Sequence, residues 1–369
     1  MKKRRWSDLK TWQKAGLIEI GLLEVGLFAT AWADLGQRLP ENVNGSKMAW
    51  RAGLFTGGIG SLAYLIKGRK RSNWTERDMP DMRGKVAIVT GANSGIGYET
   101  SRALAEHGAT VIMACRNMDK ATRAANQIRA LNPTGEVIVM PLDLADLDSV
   151  RQFADKFRAQ YNQLDLLINN AGLMVQPYHT TKHGFESQFG VNHLGHFALT
   201  AQLIELLNNT PRSRIVSVSS IAHRFGEIDF DDLNWQHKPY DAMPAYGQSK
   251  LANLLFSYEL QRKLSAAGHH TIAVAVHPGY TATKLDGNTA FMNLINRLFA
   301  QPQPMGALPT LYAATARDVQ GGQYFGPSGL AEIGGNPFRV ESNAQSHDLA
   351  TAQRLWTISE AVTETTFQL

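Results

Sequence analysis

The sequence contains very little cysteine. Cys115 is the only one in 369 residues, so no disulfide can form within the chain and a reducing compartment is compatible with the fold. The eleven histidines do not occur with cysteines or carboxylates at metal-ligand spacing. The sequence therefore predicts neither a disulfide-stabilised fold nor a metal site.

Most of the chain also lacks excess positive charge. Residues 1–79 contain 14 lysines and arginines against 7 acidic residues, whereas residues 80–369 contain 23 against 25. The net charge of +5 therefore comes from the N-terminal part. This distribution argues against nucleic acid as a partner of the main domain and predicts an N-terminal segment that meets an anionic surface.

Two long apolar runs occur in this N-terminal part, at residues 15–33 and 48–66. Each is about as long as a helix that crosses a bilayer. Six lysines and arginines precede the first run, two lie in residues 36–47, and five follow in residues 67–77. By the positive-inside rule, this pattern predicts a helical hairpin that contacts the membrane through residues 15–66, with both ends in the cytoplasm.

Two glutamates weaken the membrane prediction. Glu19 and Glu24 lie in the first run, and each costs up to about 3 kcal/mol at the centre of a bilayer. One alternative is an amphipathic helix pair packed on the main domain. Another is a secretory signal cleaved after Ala31-Trp32-Ala33. The two glutamates and the second apolar run argue against a signal.

A glycine-rich loop opens the main domain, which we place at residues 80–369. Residues 85–97 read KVAIVTGANSGIG, and a helical pattern follows Gly97. Gly91, Gly95 and Gly97 allow a tight turn and a close approach of the backbone to a pyrophosphate at a helix N-terminus. A glycine-rich turn without a ligand is the alternative.

Further strand patterns follow at regular intervals, each separated from the next by a helical pattern. They lie at residues 109–115, 136–142, 164–168, 214–218 and 271–276. This alternation predicts an α/β fold, a Rossmann-type doubly wound parallel sheet of about seven strands. We assign a cofactor half to residues 84–211 and a catalytic half to residues 212–369.

The end of the second strand carries an arginine where NAD-specific proteins have a carboxylate. Arg116 lies about nineteen residues after Gly97, and no Asp or Glu occupies this place. A guanidinium suits the 2′-phosphate of NADP(H), because its planar fork forms two charge-assisted hydrogen bonds. The sequence therefore favours NADP(H), with NAD(H) as the alternative. A solvated surface arginine is the simpler explanation of this residue.

A tyrosine and a lysine occur one helical turn apart in the catalytic half. Tyr246 and Lys250 form a YxxxK motif at the start of a helical pattern, so their side chains share one face. An ammonium near a phenol favours the phenolate and lowers the tyrosine pKa by roughly two units. Such a tyrosine is suited to general acid/base catalysis.

Several motifs in this order resemble the short-chain dehydrogenase/reductase family. They are TGxxxGxG in the first loop, NNAG at residues 169–172, Asn192 in a helical pattern, a serine pair, YxxxK, and PGxxxT at residues 278–283. Over about residues 82–360, the YGQSKLANLLF and SSIAH stretches most resemble the retinol dehydrogenase and WW-domain oxidoreductase branch. The N-terminal runs loosely resemble a two-helix membrane module.

The resemblance implies a set of cofactor contacts. They come from Gly91, Ser94, Gly95, Ile96, Gly97, Arg116, Asp143, Leu144, Asn170, Ala171, Gly172, Tyr246, Lys250, Pro278, Gly279 and Thr283. Of these, Asp143 would bind the adenine amino group, although a turn or helix-cap role explains an aspartate there equally well.

The resemblance also implies catalytic roles. Tyr246 would transfer the proton, Lys250 would lower its pKa and bind the ribose, Ser220 rather than Ser219 would polarise the carbonyl, and Asn192 would position a relay water. The substrate would be a small hydrophobic alcohol, aldehyde or ketone under a lid at residues 284–305.

Three rival interpretations and one question remain open at this stage. The rivals are a catalytically silent NADP(H)-binding sensor, a reductase of C=C bonds, and a lid segment that is merely a docked surface helix. The sequence leaves the oligomeric state open, with a homodimer as one option. The predicted location is a membrane, with the catalytic domain in the cytoplasm.

Arg116→Ala tests the cofactor preference. We expect the KM for NADP(H) to rise about tenfold or more, because hydrogen bonds to a charged group are lost, while the KM for NAD(H) changes little. Steady-state kinetics with both cofactors measure the two constants. An unchanged KM for NADP(H) would show that another group contacts the phosphate.

Overall fold

The computed structural model describes residue 7, residues 9–281 and residues 300–369. The chain divides into two compact units. One contains residues 1–72 and 328–331, and the other contains residues 73–327 and 332–369.

The larger unit is built around a sheet whose strand order is β3-β2-β1-β4-β5-β6-β7-β8. The strands are β1 Val86–Thr90, β2 Thr110–Cys115, β3 Glu136–Pro141, β4 Leu166–Asn169, β5 Arg214–Val218, β6 Ile272–Val276, β7 Tyr324–Pro327 and β8 Pro337–Val340. Strands β1 to β7 are parallel, and β8 returns antiparallel along β7. The predicted doubly wound parallel sheet is confirmed, with one antiparallel strand more than the predicted seven.

Both faces of the sheet are covered, and the alternation of side chains along the strands divides the core in two. In β1, Ala87 and Val89 belong to one buried cluster, whereas Val86 and Ile88 belong to another. This is why the strands read as continuous apolar runs: a parallel sheet is buried on both faces. Helices provide the cover.

The helices of the larger unit alternate with its strands. They are α4 Gly95–Glu106, α5 Met118–Arg129, α6 Leu147–Gln160, α7 Ser187–Phe189, α8 Gly195–Asn208, α9 Ala242–Ala266, α10 Gln303–Thr315 and α11 Leu349–Thr363. A π-helical turn, Gly190–Leu194, separates α7 from α8.

The strand order reverses beside β1, which pairs with β2 on one side and β4 on the other. At such a switch point, the connections leave the sheet in opposite directions and open a crevice at the carboxyl ends of the strands. The glycine-rich loop follows β1 at this crevice, and the NNAG motif begins on the last residue of β4. The fold therefore brings together the two motifs that the sequence assigns to a cofactor.

The smaller unit contains α1 Thr11–Gln37, α2 Lys47–Leu54, α3 Gly58–Ala63 and a π-helical turn, Tyr64–Gly68. Within the described residues, α1 is the one helix whose length and composition suit a membrane span. The prediction of a second bilayer-length helix is wrong, because the chain breaks between α2 and α3. Gly57 has a φ of 83° there, in the left-handed region that glycine adopts readily.

Candidate active site

The glycine-rich loop is shaped by contact with the NNAG segment. Gly91 and Gly95 have φ values of 64° and 61°, which favour glycine. A Cβ on Gly91 would lie 2.9 Å from the Cα of Ala171, and one on Gly97 would lie 2.5 Å from Nδ2 of Asn170. Larger residues would therefore push the two loops apart.

Helix α4 begins at this loop. Gly95 is its first residue and Ser94 its N-cap, and the Ser94 side chain makes no capping hydrogen bond. Ser94 is exposed, whereas Ile96 is half-buried against the core of the sheet. The first N–H groups of α4 are thus presented at the crevice, where the helix dipole favours an anion.

Thr90, the last residue of β1, joins the ends of β1 and β4. Its hydroxyl oxygen accepts hydrogen bonds from the N–H groups of Asn170 and Ala171, both at 2.9 Å. The Asn170 side chain donates to the Thr90 carbonyl at 2.8 Å. These contacts fix the NNAG backbone at the switch point.

His196 extends this network into the neighbouring helix. Its Nε2 lies 2.9 Å from Oγ1 of Thr90, and its Nδ1 lies 3.0 Å from the carbonyl oxygen of Asn192. Because a carbonyl only accepts, Nδ1 carries the proton and Nε2 accepts from the threonine hydroxyl. Burial lowers the pKa of His196 to about 4, so the ring is neutral at pH 7.

Sequence reasoning missed His196 as part of the site. The only available signal was its position four residues after Asn192, which places both residues on one helical face. Nothing in the sequence indicates the contact with Thr90, because 106 residues separate the two partners.

Asn192 lies in the π-helical turn and is fully buried. Its side chain accepts from the Leu173 N–H at 2.7 Å and donates to the Leu173 carbonyl and to Oγ of Ser249, both at 2.9 Å. A Cβ on Gly172 would lie 3.2 Å from Oδ1 of Asn192 and 3.4 Å from Nζ of Lys250. Gly172 therefore lies between these two side chains, and π-turns often occur at functional sites.

The two serines after β5 have different surroundings. Ser219 is buried, and its hydroxyl donates to the Lys250 carbonyl at 2.7 Å. Ser220 is partly exposed, caps the 3₁₀ helix Ile221–Phe225, and forms a side-chain hydrogen bond with Tyr246. Of the two hydroxyls, the one of Ser220 is thus the one beside the tyrosine.

Tyr246 and Lys250 lie in the first turns of α9, and both are almost completely buried. The lysine Nζ lies 5.6 Å from the centre of the tyrosine ring and donates to the Val218 carbonyl at 3.1 Å. The carboxyl end of β5 therefore holds the ammonium group close to the phenol.

Burial shifts both pKa values towards the neutral forms. It raises the pKa of Tyr246 to about 12, against a lowering effect of the Ser220 hydrogen bond, and it lowers the pKa of Lys250 to about 8. The prediction that the pKa of Tyr246 is lowered is therefore wrong for the protein groups that surround this tyrosine. The desolvation of the phenolate is the largest effect, and it raises the pKa.

Arg116 and Asp143 follow the ends of β2 and β3. Arg116 is exposed, and the preceding Cys115 accepts hydrogen bonds from the N–H groups of Ala92 and Asn93 in the glycine-rich loop. The Asp143 carboxylate accepts from the Ala145 N–H at 3.0 Å, which is a turn contact. The next residue, Leu144, is buried, and its carbonyl faces Gly195 at the start of α8.

The segment after β6 contains Pro278 and Gly279. Gly279 has a φ of 69°, and the next N–H, that of Tyr280, donates to the Ile333 carbonyl at 2.8 Å. A Cβ on Gly279 would lie 3.0 Å from the Glu332 carbonyl oxygen. Thr283 and residues 284–299 of the predicted lid lie outside the described residues.

The buried carboxylate of Glu332 connects this segment to the 3₁₀ helix Ile221–Phe225. Its Oε2 atom lies 2.9 Å from Nη2 of Arg224 and 3.0 Å from Nε2 of His277. Burial raises the pKa of Glu332, but the hydrogen bond and charge of His277 and the charge of Arg224 outweigh it, so the net shift is downward. The sequence contains no motif for this contact.

Backbone strain accompanies this carboxylate. Ala331 and Glu332 have φ values of 49° and 57°, and side chains rarely adopt this left-handed conformation. Each such residue costs of order 1 kcal/mol or more, and it persists where its surroundings hold it in place.

Asp146, Asp148 and His183 offer ligand atoms within 4.8 Å of one another, the only such group among the described residues. The Lys182 ammonium lies 2.9 Å from Asp146 and 3.0 Å from Asp148. The Lys182 ammonium thus balances the negative charge of these two half-buried aspartates.

Comparison with protein families and known proteins identifies relatives of this chain. Residues 85–292 match the family model for short chain dehydrogenase. Retinol dehydrogenase 12 of Mus musculus is 44% identical over 281 residues, which cover 75% of this chain and 85% of that protein. Retinol dehydrogenase 13 of Homo sapiens is 43% identical over 284 residues, 74% of this chain and 82% of that protein. The WW domain-containing oxidoreductase of Danio rerio is 41% identical over 297 residues, 77% of this chain and 69% of that protein.

Solved structures show the same similarity. A crystal structure of an uncharacterized protein from Mycobacterium paratuberculosis has a TM-score of 0.70 and 44% identity, covering 81% of this chain and all of that one. A Pseudomonas syringae protein described as a short chain dehydrogenase has a TM-score of 0.54 and 26% identity, covering 69% of this chain and 97% of that one.

Lys250→Met tests the cost of the buried ammonium. The pKa of Lys250 is lowered from 10.5 to about 8, so below pH 8 the folded protein holds a desolvated charge, and this cost disappears as the pH rises through 10.5. We expect the variant to be more stable at pH 7 by roughly 3 kcal/mol. The gain should vanish near pH 10.5.

Thermal unfolding of the full chain in detergent at both pH values measures this effect. Lys120→Met is the matched control, because Lys120 is exposed on a surface helix. The Val218 carbonyl keeps a hydrogen bond from Asn253 at 3.1 Å in the Lys250 variant. A stability gain that does not depend on pH would contradict the assigned pKa shift.

Glu332→Gln tests the buried carboxylate. Because the substitution removes the charge that pairs with Arg224, we expect the free energy of unfolding to fall by about 2 kcal/mol and the KM for NADP(H) to rise. Unfolding curves and kinetics measure these changes, with the exposed Glu341→Gln as control. Equal effects of the two substitutions would show that the pairing is dispensable.

Proposed function

This chain belongs to the short-chain dehydrogenase family, as an oxidoreductase of CH–OH groups in the retinol dehydrogenase-like branch, and we propose that it interconverts hydrophobic alcohols and their aldehydes or ketones with NADP(H). The observation that carries the proposal is the meeting of Ser220, Tyr246 and Lys250 beside the NNAG segment. The chemistry of this group is that of carbonyl reduction.

The glycine-rich loop has no side chains at Gly91, Gly95 and Gly97, where we propose that the cofactor binds. We propose that Gly91, Ser94, Gly95, Ile96 and Gly97 hold the pyrophosphate at the start of α4, since a Cβ at Gly91 or Gly97 would collide with the NNAG segment. The remaining contacts are proposed for residues Asp143, Leu144, Asn170, Ala171, Gly172, Pro278, Gly279 and Thr283. When bound, NADP(H) supplies or accepts the hydride.

The preference for NADP(H) rests on Arg116. This guanidinium is exposed at the end of β2, next to a cysteine that contacts the glycine-rich loop. Its charge and its fork of donors match a 2′-phosphate. A 2′-hydroxyl would instead need a carboxylate at this place, so NAD(H) is the weaker candidate.

The proton moves through Tyr246. In the reduction direction its hydroxyl donates to the substrate oxygen, while the Ser220 hydroxyl donates a second hydrogen bond to the same oxygen. Lys250 is mostly protonated at pH 7, because its pKa is about 8, and its charge favours the phenolate that remains. Asn192, in the π-helical turn, is proposed to position the water that returns the proton.

The substrate class and location follow from the relatives and from α1. Two of the relatives reported above are named for retinol, an apolar alcohol. Helix α1 exposes apolar side chains, including Leu22 and Val25 at 68% and 67%, which suits a lipid environment. We propose that the protein is anchored in a membrane, where apolar substrates concentrate, with its catalytic unit on the cytoplasmic side.

Tyr246→Phe tests the reaction. With NADPH and a panel of lipophilic aldehydes that includes retinal, we expect kcat to fall by about 10²- to 10⁴-fold, because the proton donor is lost. NADPH binding, measured by fluorescence, should persist. Tyr258→Phe is the matched control, since Tyr258 is a half-buried tyrosine of the same helix α9 and hydrogen-bonds Ser342 instead.

The products decide between this proposal and its rivals. An alcohol product supports it, and a saturated aldehyde would indicate reduction of a C=C bond. NADPH binding by the parent chain without turnover of any substrate would indicate a sensor.

A further inference from the structure

We infer that residues 44–68 form a re-entrant hairpin that dips into one side of the bilayer and returns, whereas α1 alone crosses it. Residues 7 and 71 then lie on opposite faces of the membrane. This inference rests on the membrane attachment proposed above and not on the proposed reaction. It differs from the hairpin of two spans that hydropathy predicts.

The two ends of residues 44–68 are joined to each other. The N–H of Asn44 donates to the Gly68 carbonyl at 2.8 Å, and the N–H of Lys70 donates to the Asn42 carbonyl at 3.1 Å. Val43 and Arg69 form an antiparallel bridge. A single span would separate its ends by about 30 Å, so this segment does not cross the bilayer.

The joined ends lie beside the C-terminal end of α1. The Lys47 ammonium donates to the carbonyls of Gly36 and Arg38. On the returning side, the Tyr64 hydroxyl donates to Oδ2 of Asp34 at 2.7 Å. Both limbs of the hairpin therefore start and finish at the same level of α1.

The tip of the hairpin lies about halfway along α1. The Phe55 ring centre is 5.5 Å from that of Phe28, and a Cβ on Gly58 would lie 3.2 Å from Cγ of Glu24. Glu24 precedes Asp34 by nearly three turns, or roughly 15 Å of helix. That depth is about half of a hydrocarbon core of about 30 Å.

Helix α1 continues beyond the tip with exposed apolar side chains around its circumference, interrupted by the exposed Glu19. Leu17, Ile18, Ile20, Leu22 and Leu23 are each 48–68% exposed. Their spacing at about 100° per residue distributes them around the helix. A helix that lies on a membrane has one polar face, whereas residues 15–23 contain one charged residue, Glu19, and no polar face, which suits a span.

Charges at the two ends of α1 match two rows of lipid headgroups. Lys10 and Lys14 lie at its first turn, and Lys47 and Lys70 contact Arg38 at its last. The helix has 27 residues, or about 40 Å, which spans the hydrocarbon core and reaches both interfaces. Lipid acyl chains are therefore the occupant of the exposed apolar surface.

Cysteine labelling of the full chain in sealed membrane vesicles tests this topology. The parent is an unlabelled background, because Cys115 is buried and burial raises its pKa to about 11. Ser7→Cys and Arg71→Cys each add an exposed thiol at the two ends, and Ile59→Cys adds one near the tip, where the side chain is 83% exposed. A membrane-impermeant maleimide is applied to right-side-out and to inverted vesicles.

We expect Ser7→Cys to react in one vesicle type, Arg71→Cys in the other, and Ile59→Cys only after detergent is added. Reaction of Ser7→Cys and Arg71→Cys in the same vesicles would overturn the inference, and so would a chain recovered from the soluble fraction.

Retinal reduction measured in the same vesicles separates this inference from the proposed function. If retinal is reduced but both end thiols react on the same face of the membrane, the topology is refuted and the proposed reaction is not. If the end thiols react on opposite faces but retinal is not reduced, the proposed reaction is refuted and the topology is not.

Discussion

The burial of one ammonium group is the constraint on which the rest of the site depends. Lys250 is 3% exposed, and the carbonyl at the end of β5 is the acceptor that holds it. A lysine placed this way loses hydration and gains little in return, so its pKa falls towards the working pH. The same desolvation raises the pKa of Tyr246. The catalytic pair is therefore costly to the fold, which is typical of a functional site.

The chain meets this cost by fixing the backbone around the pair. Thr90, His196 and the π-turn form a continuous set of hydrogen bonds from the end of β1 to Asn192. The strained residue Glu332 fixes the other side through Arg224 and His277. Neither set contains a group that needs to contact substrate. Both restrict how the segments that carry the reactive groups can move.

The sequence predicts the parts of this site that are local in the chain. The glycine-rich loop, the YxxxK motif and the strands are read from spacing and periodicity, and the fold class follows from their alternation. The contacts of His196 and Glu332 are long-range, between residues 106 and 108 positions apart, so no local pattern reveals them. The charge of Lys250 alone predicts a lowered pKa for Tyr246, whereas burial, which no local pattern reveals, raises it. The break at Gly57 was missed because hydropathy counts apolar residues and is blind to a hydrogen-bonded chain reversal.

Strand β8 has a consequence for how copies of this protein could associate. It borders β7 at one margin of the sheet, and its first residue, Pro337, has no N–H to offer to a further strand. Arg339 projects from the same strand and is exposed, and charged side chains at such a margin discourage edge-to-edge aggregation. Continuation of the sheet into a neighbouring molecule is thereby disfavoured at this side. A pair of subunits would accordingly meet through surfaces other than this border of the sheet.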